Sequence, residues 1–103
     1  MNEFDQKASQ WDAKPVRVER ALAMADGIRA ALPLSSSLTA LEYGCGTGLV
    51  SFELQSQLGH ITLADSSSGM LAVVREKIAA SQREALFKRT IHRRYANERC
   101  GGE

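Results

Sequence analysis

A chain of 103 residues with 44% hydrophobic and 24% charged residues and a net charge of +1 is the composition of one globular domain at most, with no excess of charge to direct it to nucleic acid or a lipid surface. No apolar run approaches the roughly 18 residues of a membrane-spanning helix, and the opening Met1-Asn2-Glu3-Phe4-Asp5 lacks the basic start and apolar core of a signal peptide, so a cytoplasmic location is the expectation. Cys45 and Cys100 have no Cys-x-x-Cys spacing, which predicts two free thiols, no disulfide and no metal site.

Phe4, Ala8 and Trp11 recur at spacings of four and three, one face of a short helix. An aromatic face this near a terminus needs something to cover, and pinning the terminus to the core is one use for it. Asp12 is placed to cap a second helix with Pro15 in its first turn. Val18, Leu22, Ala25, Ile28, Ala31 and Leu32 continue at helical spacing until Pro33 stops them. Ser35, Ser36 and Ser37 form a polar linker; no Gly-x-Ser-x-Gly elbow marks any of them as a nucleophile.

Leu38, Ala40, Leu41 and Tyr43 read as a buried strand that breaks into Gly44, Gly46 and Gly48, a tight turn feeding a helix from about Leu49 to Leu58. Glycine reaches positive φ without steric cost and lets backbone amides approach a ligand closely, and the free N–H groups of the following helix point at the same spot. The glycines stand at relative positions one, three and five, whereas a dinucleotide fingerprint needs one, three and six. Glu42 adds a carboxylate that would repel a phosphate and favour an ammonium group. An NAD-dependent oxidoreductase is therefore the weaker of the nucleotide readings.

Gly59 ends that helix and His60 to Ala64 form a second strand, parallel to the first because the crossover between them is helical. Asp65 follows Gly44 by 21 residues (65 minus 44), near the roughly 20-residue spacing that brings an acid to ribose hydroxyls. Ser68 is placed to cap a further helix whose buried stripe is Leu71, Val74 and Ile78. His60 and His92 stand singly, which argues against metal binding or catalysis by either.

From Ser81 the character changes. Residues 1–80 carry seven basic and nine acidic side chains, while 81–103 carry six basic and three acidic. Phe87, Ile91 and Tyr95 at four-residue spacing, with Glu84 and Lys88 as an i,i+4 pair, predict a helix over 81–95 within a basic tail, 81–103, that is helical or disordered. Arg89, Arg93 and Arg94 beside Tyr95 could meet phosphates, but a solvated face explains such a charge run better than a nucleic-acid site.

Three segments carry a family resemblance: Phe4-Asp5-x-x-Ala8-x-x-Trp11-Asp12, Glu42-x-Gly44-x-Gly46-x-Gly48, and Asp65-x-Ser67-x-x-Met70-Leu71. Together they resemble the first half of a class I S-adenosylmethionine-dependent methyltransferase. The resemblance implies a truncated Rossmann-like α/β fold and S-adenosyl-L-methionine as cofactor, with Glu42, Gly44, Gly46, Gly48, Asp65, Ser66 and Met70 as the binding set. In that family the aromatic opening is a lid over the pocket and the methionine packs on the adenine, as a thioether does well. The residues that hold the methyl acceptor come largely from after the fourth strand, so the acceptor and any catalytic residue stay unassigned.

The family's seven-stranded sheet needs about 200 residues. On these motifs the resemblance covers residues 4 to about 80, and the tail reads as foreign, as a truncation or shifted reading frame would produce. A non-catalytic or partner-dependent half-domain is the alternative expectation, with the unpaired edge of the first strand available for oligomer contacts.

Overall fold

A computed structural model describes residues 3–92, with side chains described through residue 87. The chain opens with helix α1 (Glu3–Lys7) and a 3₁₀ stretch (Ala8–Ala13), then runs α2 (Pro15–Ala31), β1 (Thr39–Tyr43), α3 (Leu49–Leu54), β2 (His60–Asp65), α4 (Ser68–Ser81) and β3 (Phe87–His92). The three strands form one parallel sheet in the order β1-β2-β3. Thr39 pairs with His60 and Tyr43 with Ala64, so β1 and β2 end level, and Asp65 pairs with His92. The register between β2 and β3 is irregular at Ile61 and Thr62.

β3 corrects the sequence expectation of a helix over residues 81–95. Gln82 closes α4 in the left-handed conformation at φ 59, the chain turns, and Phe87 begins a strand on the free edge of β2. A spacing of four fits one side of a helix and equally one side of an unbroken strand, so the spacing alone could not choose. Arg93, Arg94, Tyr95 and Cys100 lie outside the described residues.

Local signals account for most of the other boundaries. Pro15 sits at the first position of α2, where its missing N–H costs nothing. Leu32, forced extended (φ −133, ψ 142) by Pro33, ends the same helix. α3 is shorter than expected, giving way after Leu54 to a 3₁₀ turn over Gln55–Gln57. The cap of α4 is Ser67 and not Ser68: its buried Oγ accepts from the Met70 N–H at 3.1 Å and donates to the Asp5 carboxylate.

One face of the sheet carries the core. Ile61, Leu63, Leu71, Val74, Cys45 and Phe87 are buried there, with Phe52, Leu58, Ile78 and Leu86 packed against them. The Phe52 and Phe87 rings lie 4.6 Å apart, which joins α3 to β3. Each fully buried aliphatic side chain in this set contributes roughly 1.5–3 kcal/mol.

The opposite face is open. Leu41 and Tyr43 alternate with the half-buried Ala40 and Glu42 and are 62% and 56% exposed, so β1 is half-covered on one side and open on the other, against the expectation of a buried strand. α2 follows its predicted stripe only in part, at Val18, Ala25 and Ile28. It packs through the small residues Ala21 and Ala25, while Leu22, Met24 and Leu32 stay exposed. Arg29 fastens it to α3 by donating to Gln57 Oε1 at 2.6 Å and Glu53 Oε2 at 3.1 Å. Along this side an apolar groove of about 480 Å³ runs between α2, α3 and β1.

Two glycine substitutions separate backbone propensity from docking. A Cβ on Gly27, inside α2, would meet nothing within 4 Å, so Gly27→Ala is expected to raise stability by about 1 kcal/mol. A Cβ on Gly69 would lie 2.7 Å from Asp5 Cα and 2.9 Å from Asp5 O, so Gly69→Ala should cost about 1–3 kcal/mol and push α1 away from α4. Urea unfolding followed by Trp11 emission checks both, with a red-shifted native spectrum expected for Gly69→Ala alone.

Candidate functional site at the glycine loop

β1 delivers the chain into a loop in which Gly44, Gly46 and Gly48 take φ of 69, 58 and 79. Three alternating left-handed residues would cost any L side chain roughly 1–2 kcal/mol each, which is why glycine occupies them. The Cys45 N–H still donates to Ala64 O at 2.9 Å, extending the ladder with β2, and the Gly48 N–H closes a turn onto Cys45 O at 2.9 Å. A Cβ at Gly44 would meet nothing within 4 Å and one at Gly46 only the Trp11 indole nitrogen at 3.9 Å. The backbone there faces open space.

Asp65, the last residue of β2, holds the loop in place. Its Oδ2 accepts from the Gly46 N–H at 2.7 Å and its Oδ1 from the Ser67 N–H at 2.8 Å. One carboxylate thereby ties the glycine loop to the start of α4. Each oxygen keeps a further acceptor direction for a ligand.

Above these residues lies a cavity of about 270 Å³ lined by Phe4, Trp11, Gly44, Gly46, Asp65, Ser66 and Met70. Five of the seven residues expected from sequence, Gly44, Gly46, Asp65, Ser66 and Met70, thus surround one space. Met70 is 2% exposed and forms part of its wall. Glu42 and Gly48 stand elsewhere. Gly48 precedes α3 with the Phe52 ring against its α-carbon, and Glu42 lies under the loop, accepting from Ser51 Oγ at 2.6 Å and Ser51 N–H at 3.2 Å.

The amino-terminal segment roofs the cavity with Phe4 and Trp11, whose rings meet edge-on at 6.0 Å. The segment is also pinned to the core. Asp5 accepts from the Gly69 N–H at 2.6 Å and from Ser67 Oγ. Asp12, expected to cap α2, is engaged elsewhere: Lys14 holds the cap position with no side-chain bond, and Asp12 accepts from Thr47 Oγ1 at 2.6 Å and pairs with Lys77 at 2.6 Å. Lys77 also donates to Thr47 O at 2.9 Å. Sequence reading did not single out Thr47, Lys77 or the second role of Asp12, since no local pattern reports a partner 30 or more residues away.

On the other side of Trp11 lies a second cavity, of about 220 Å³, lined by Trp11, Arg17, Arg20, Ala21, Glu42, Cys45, Thr47, Leu49 and Val50. Burial raises the Glu42 pKa above its ordinary 4.5, against the lowering effect of the two Ser51 hydrogen bonds. Burial likewise pushes the Cys45 thiol up to about 12, helped by the negative charges of Glu42 and Asp65, so it is no nucleophile at neutral pH. Among the described residues no helix is long and apolar enough to cross a membrane.

Residues 40–98, more than half of the chain, match the family described as methyltransferase domain. The match runs through β3 and past residue 80, to residue 98. No curated protein matches the chain. Among solved structures it is similar to magnesium protoporphyrin IX methyltransferase (ChlM) from Synechocystis PCC 6803 with bound S-adenosylmethionine, at 18% identity and TM-score 0.60 over 90% of this chain and 42% of that one. It is also similar to DhpI in its SAM-HEP complex, at 24% identity and TM-score 0.57 over 88% and 39%. The MccD protein aligns at 22% identity and TM-score 0.58 over 65% and 30%. These likenesses show a shared Rossmann-like fold, and this chain spans 30% to 42% of the matched chains' lengths.

The Glu42 environment has a pH signature. The folded state holds the Glu42 proton more tightly than the unfolded chain, so its contribution to stability is full below the ordinary carboxylate pKa and is lost as pH rises through the raised folded value. Glu42→Gln keeps an acceptor for Ser51 and removes the charge. It should melt higher than the parent at pH 7, with the gap closing as pH falls to 4; thermal unfolding across that range checks it.

Proposed function

The chain belongs to the methyltransferase-domain family, and from that premise we propose that its glycine-loop cavity binds S-adenosyl-L-methionine and forms the cofactor half of a methyl-transfer site. The observation that carries this reading is the convergence of Gly44, Gly46, Asp65, Ser66 and Met70 from three separate loops and helices onto one cavity under an aromatic roof. Support also comes from two similar structures, ChlM and DhpI, that hold this cofactor.

Within that reading each residue has a task suited to its chemistry. Asp65 presents its spare lone pairs to the ribose hydroxyls as charge-assisted acceptors. Met70 offers a polarisable wall to the adenine. Gly44 and Gly46 let the backbone approach where a side chain would intrude. The bound cofactor supplies a methyl group already activated by a sulfonium, which leaves positioning and exclusion of water as the protein's work. Phe4 and Trp11 would exclude that water.

A second reading is a half-domain completed by a partner. The observation favouring it is the open face of β1, where Leu41 and Tyr43 stand exposed beside the groove along α2. The two readings are compatible: a partner, or further chain, would cover that face and orient the acceptor while the cofactor stays on the glycine loop. Sedimentation equilibrium distinguishes a self-associating species from a monomer.

Calorimetric titration with S-adenosylmethionine tests the first reading, and saturable binding is expected. Asp65→Asn should weaken it by about 1–3 kcal/mol, because Asn keeps one acceptor oxygen where two backbone N–H groups and the ribose need more. Adenosine should lose as much and methionine nothing. Gly46→Val should abolish binding while the far-ultraviolet circular dichroism stays that of a folded chain, since valine resists φ of 58 and projects into the cavity mouth.

A further inference from the structure

Building on the cofactor reading, we propose that Lys77, which lines neither cavity, is a positioning residue: it joins Asp12 to the glycine loop, keeps Trp11 over the site and so slows the departure of a bound ligand. Three stretches far apart in sequence meet at its ammonium group. Asp12 comes from the 3₁₀ stretch, Thr47 from the loop between Gly46 and Gly48, and Lys77 from the third turn of α4. Their bonds close a ring. Lys77 Nζ lies 2.6 Å from Asp12 Oδ2 and donates to Thr47 O at 2.9 Å, while Thr47 Oγ1 donates to Asp12 Oδ1 at 2.6 Å. Both carboxylate oxygens and two of the three ammonium protons are thereby engaged, and the centre of the Phe52 ring stands 5.2 Å from the same nitrogen. Thr47 is 1% exposed, so neither its hydroxyl nor its carbonyl can exchange these partners for water unless the loop moves. Bonds in such a ring polarise one another, and removing one partner loosens the rest.

The ring is one of two fastenings between the amino-terminal segment and α4. Asp5 meets the first turn of the helix at Gly69, whereas Lys77 stands ten residues beyond the cap Ser67 (77 minus 67), about 15 Å along the axis. Trp11, next to Asp12, is a wall of both cavities. The bonds from the Lys14 N–H and Arg17 Nη1 to Trp11 O are both 3.4 Å long and reach neither the glycine loop nor α4. Without Lys77, Asp12 keeps only the Thr47 hydroxyl, and the segment can swing about its hold at Asp5, carrying Trp11 off the site. Lys77 therefore governs ligand exchange without touching ligand.

Trp11 is the only tryptophan of the chain, so its emission reports the segment directly. Acrylamide quenching is measured on the ligand-free parent, Lys77→Met, Lys77→Arg, Asp12→Asn and Arg29→Met, and the dissociation of S-adenosylhomocysteine from each is followed by stopped-flow emission. Lys77→Met and Asp12→Asn are expected to raise the quenching constant about twofold and the dissociation rate about fivefold, with unchanged far-ultraviolet circular dichroism. Lys77→Arg keeps a charged donor for Asp12 and should stay within about twofold of the parent in both readouts. Arg29→Met removes the ion pairs of α2 instead and should leave both readouts as in the parent, which separates loss of this contact from a general loss of stability. Dissociation from the parent should quicken as salt rises from about 0.05 to 0.5 M, and dissociation from Lys77→Met should not. Unchanged quenching or unchanged dissociation in Lys77→Met, or an equal rise in Arg29→Met, overturns the proposal while leaving the cofactor reading intact. A parent that binds no S-adenosylhomocysteine overturns the cofactor reading, and the quenching comparison then decides for or against Lys77 as the residue that positions Trp11.

Discussion

The carboxylate of Asp65 is the constraint on which the site depends. It stands where β2 ends and receives one N–H from the glycine loop and one from the turn into α4. Beyond the single bond from the Cys45 N–H to Ala64 O, the two loops at the tip of the sheet have no ladder to fix their relative position. A short charge-assisted bond on each side replaces it, and such bonds are about twice as strong as neutral ones. The backbone that lines the cavity is therefore set by a side chain that also faces the cavity. The cavity wall and the loop geometry share one group, and a change at this position acts on both.

A second set of carboxylates organises the amino-terminal segment around the first. Asp5 meets the beginning of α4 and Asp12 reaches Thr47 and Lys77, so the segment is held on both sides of the glycine loop. Phe4 and Trp11 are carried over the cavity as a result. The fastening is polar and partly exposed, unlike the apolar packing that joins α4 to the sheet. Exposed ion pairs contribute little each, typically below about 1 kcal/mol, so this segment belongs to the part of the structure that opens first.

How much of this was legible in the sequence follows from how local each cause is. Pro33 ended α2 through a clash with its own neighbour, and the glycines announced the loop through their own φ. Asp65 could be placed at a strand tip by counting from Gly44. The choice of Ser67 over Ser68 as cap could not be made that way, because adjacent serines offer the same hydroxyl and the partner that decides is Asp5, far back in the chain. β3 was missed for a related reason. Phe87 and Ile91 fit two periodicities equally, and what selects the strand is the free edge of β2. The apolar character of Leu41 and Tyr43 suggested burial, yet burial is a property of whatever lies opposite, which β1 does not encode.

Cys45 gives the molecule a clock. Its thiol lies 6% exposed inside the glycine loop with its pKa pushed up to about 12, so almost none of it is thiolate while the loop is closed. Alkylating reagents attack the thiolate, so Cys45 is expected to react slowly while the loop holds it in this environment. Lifting the loop away from Asp65 would relieve that, and the rate of modification would then count such openings. Any ligand that closes the loop slows that clock, whatever the ligand proves to be.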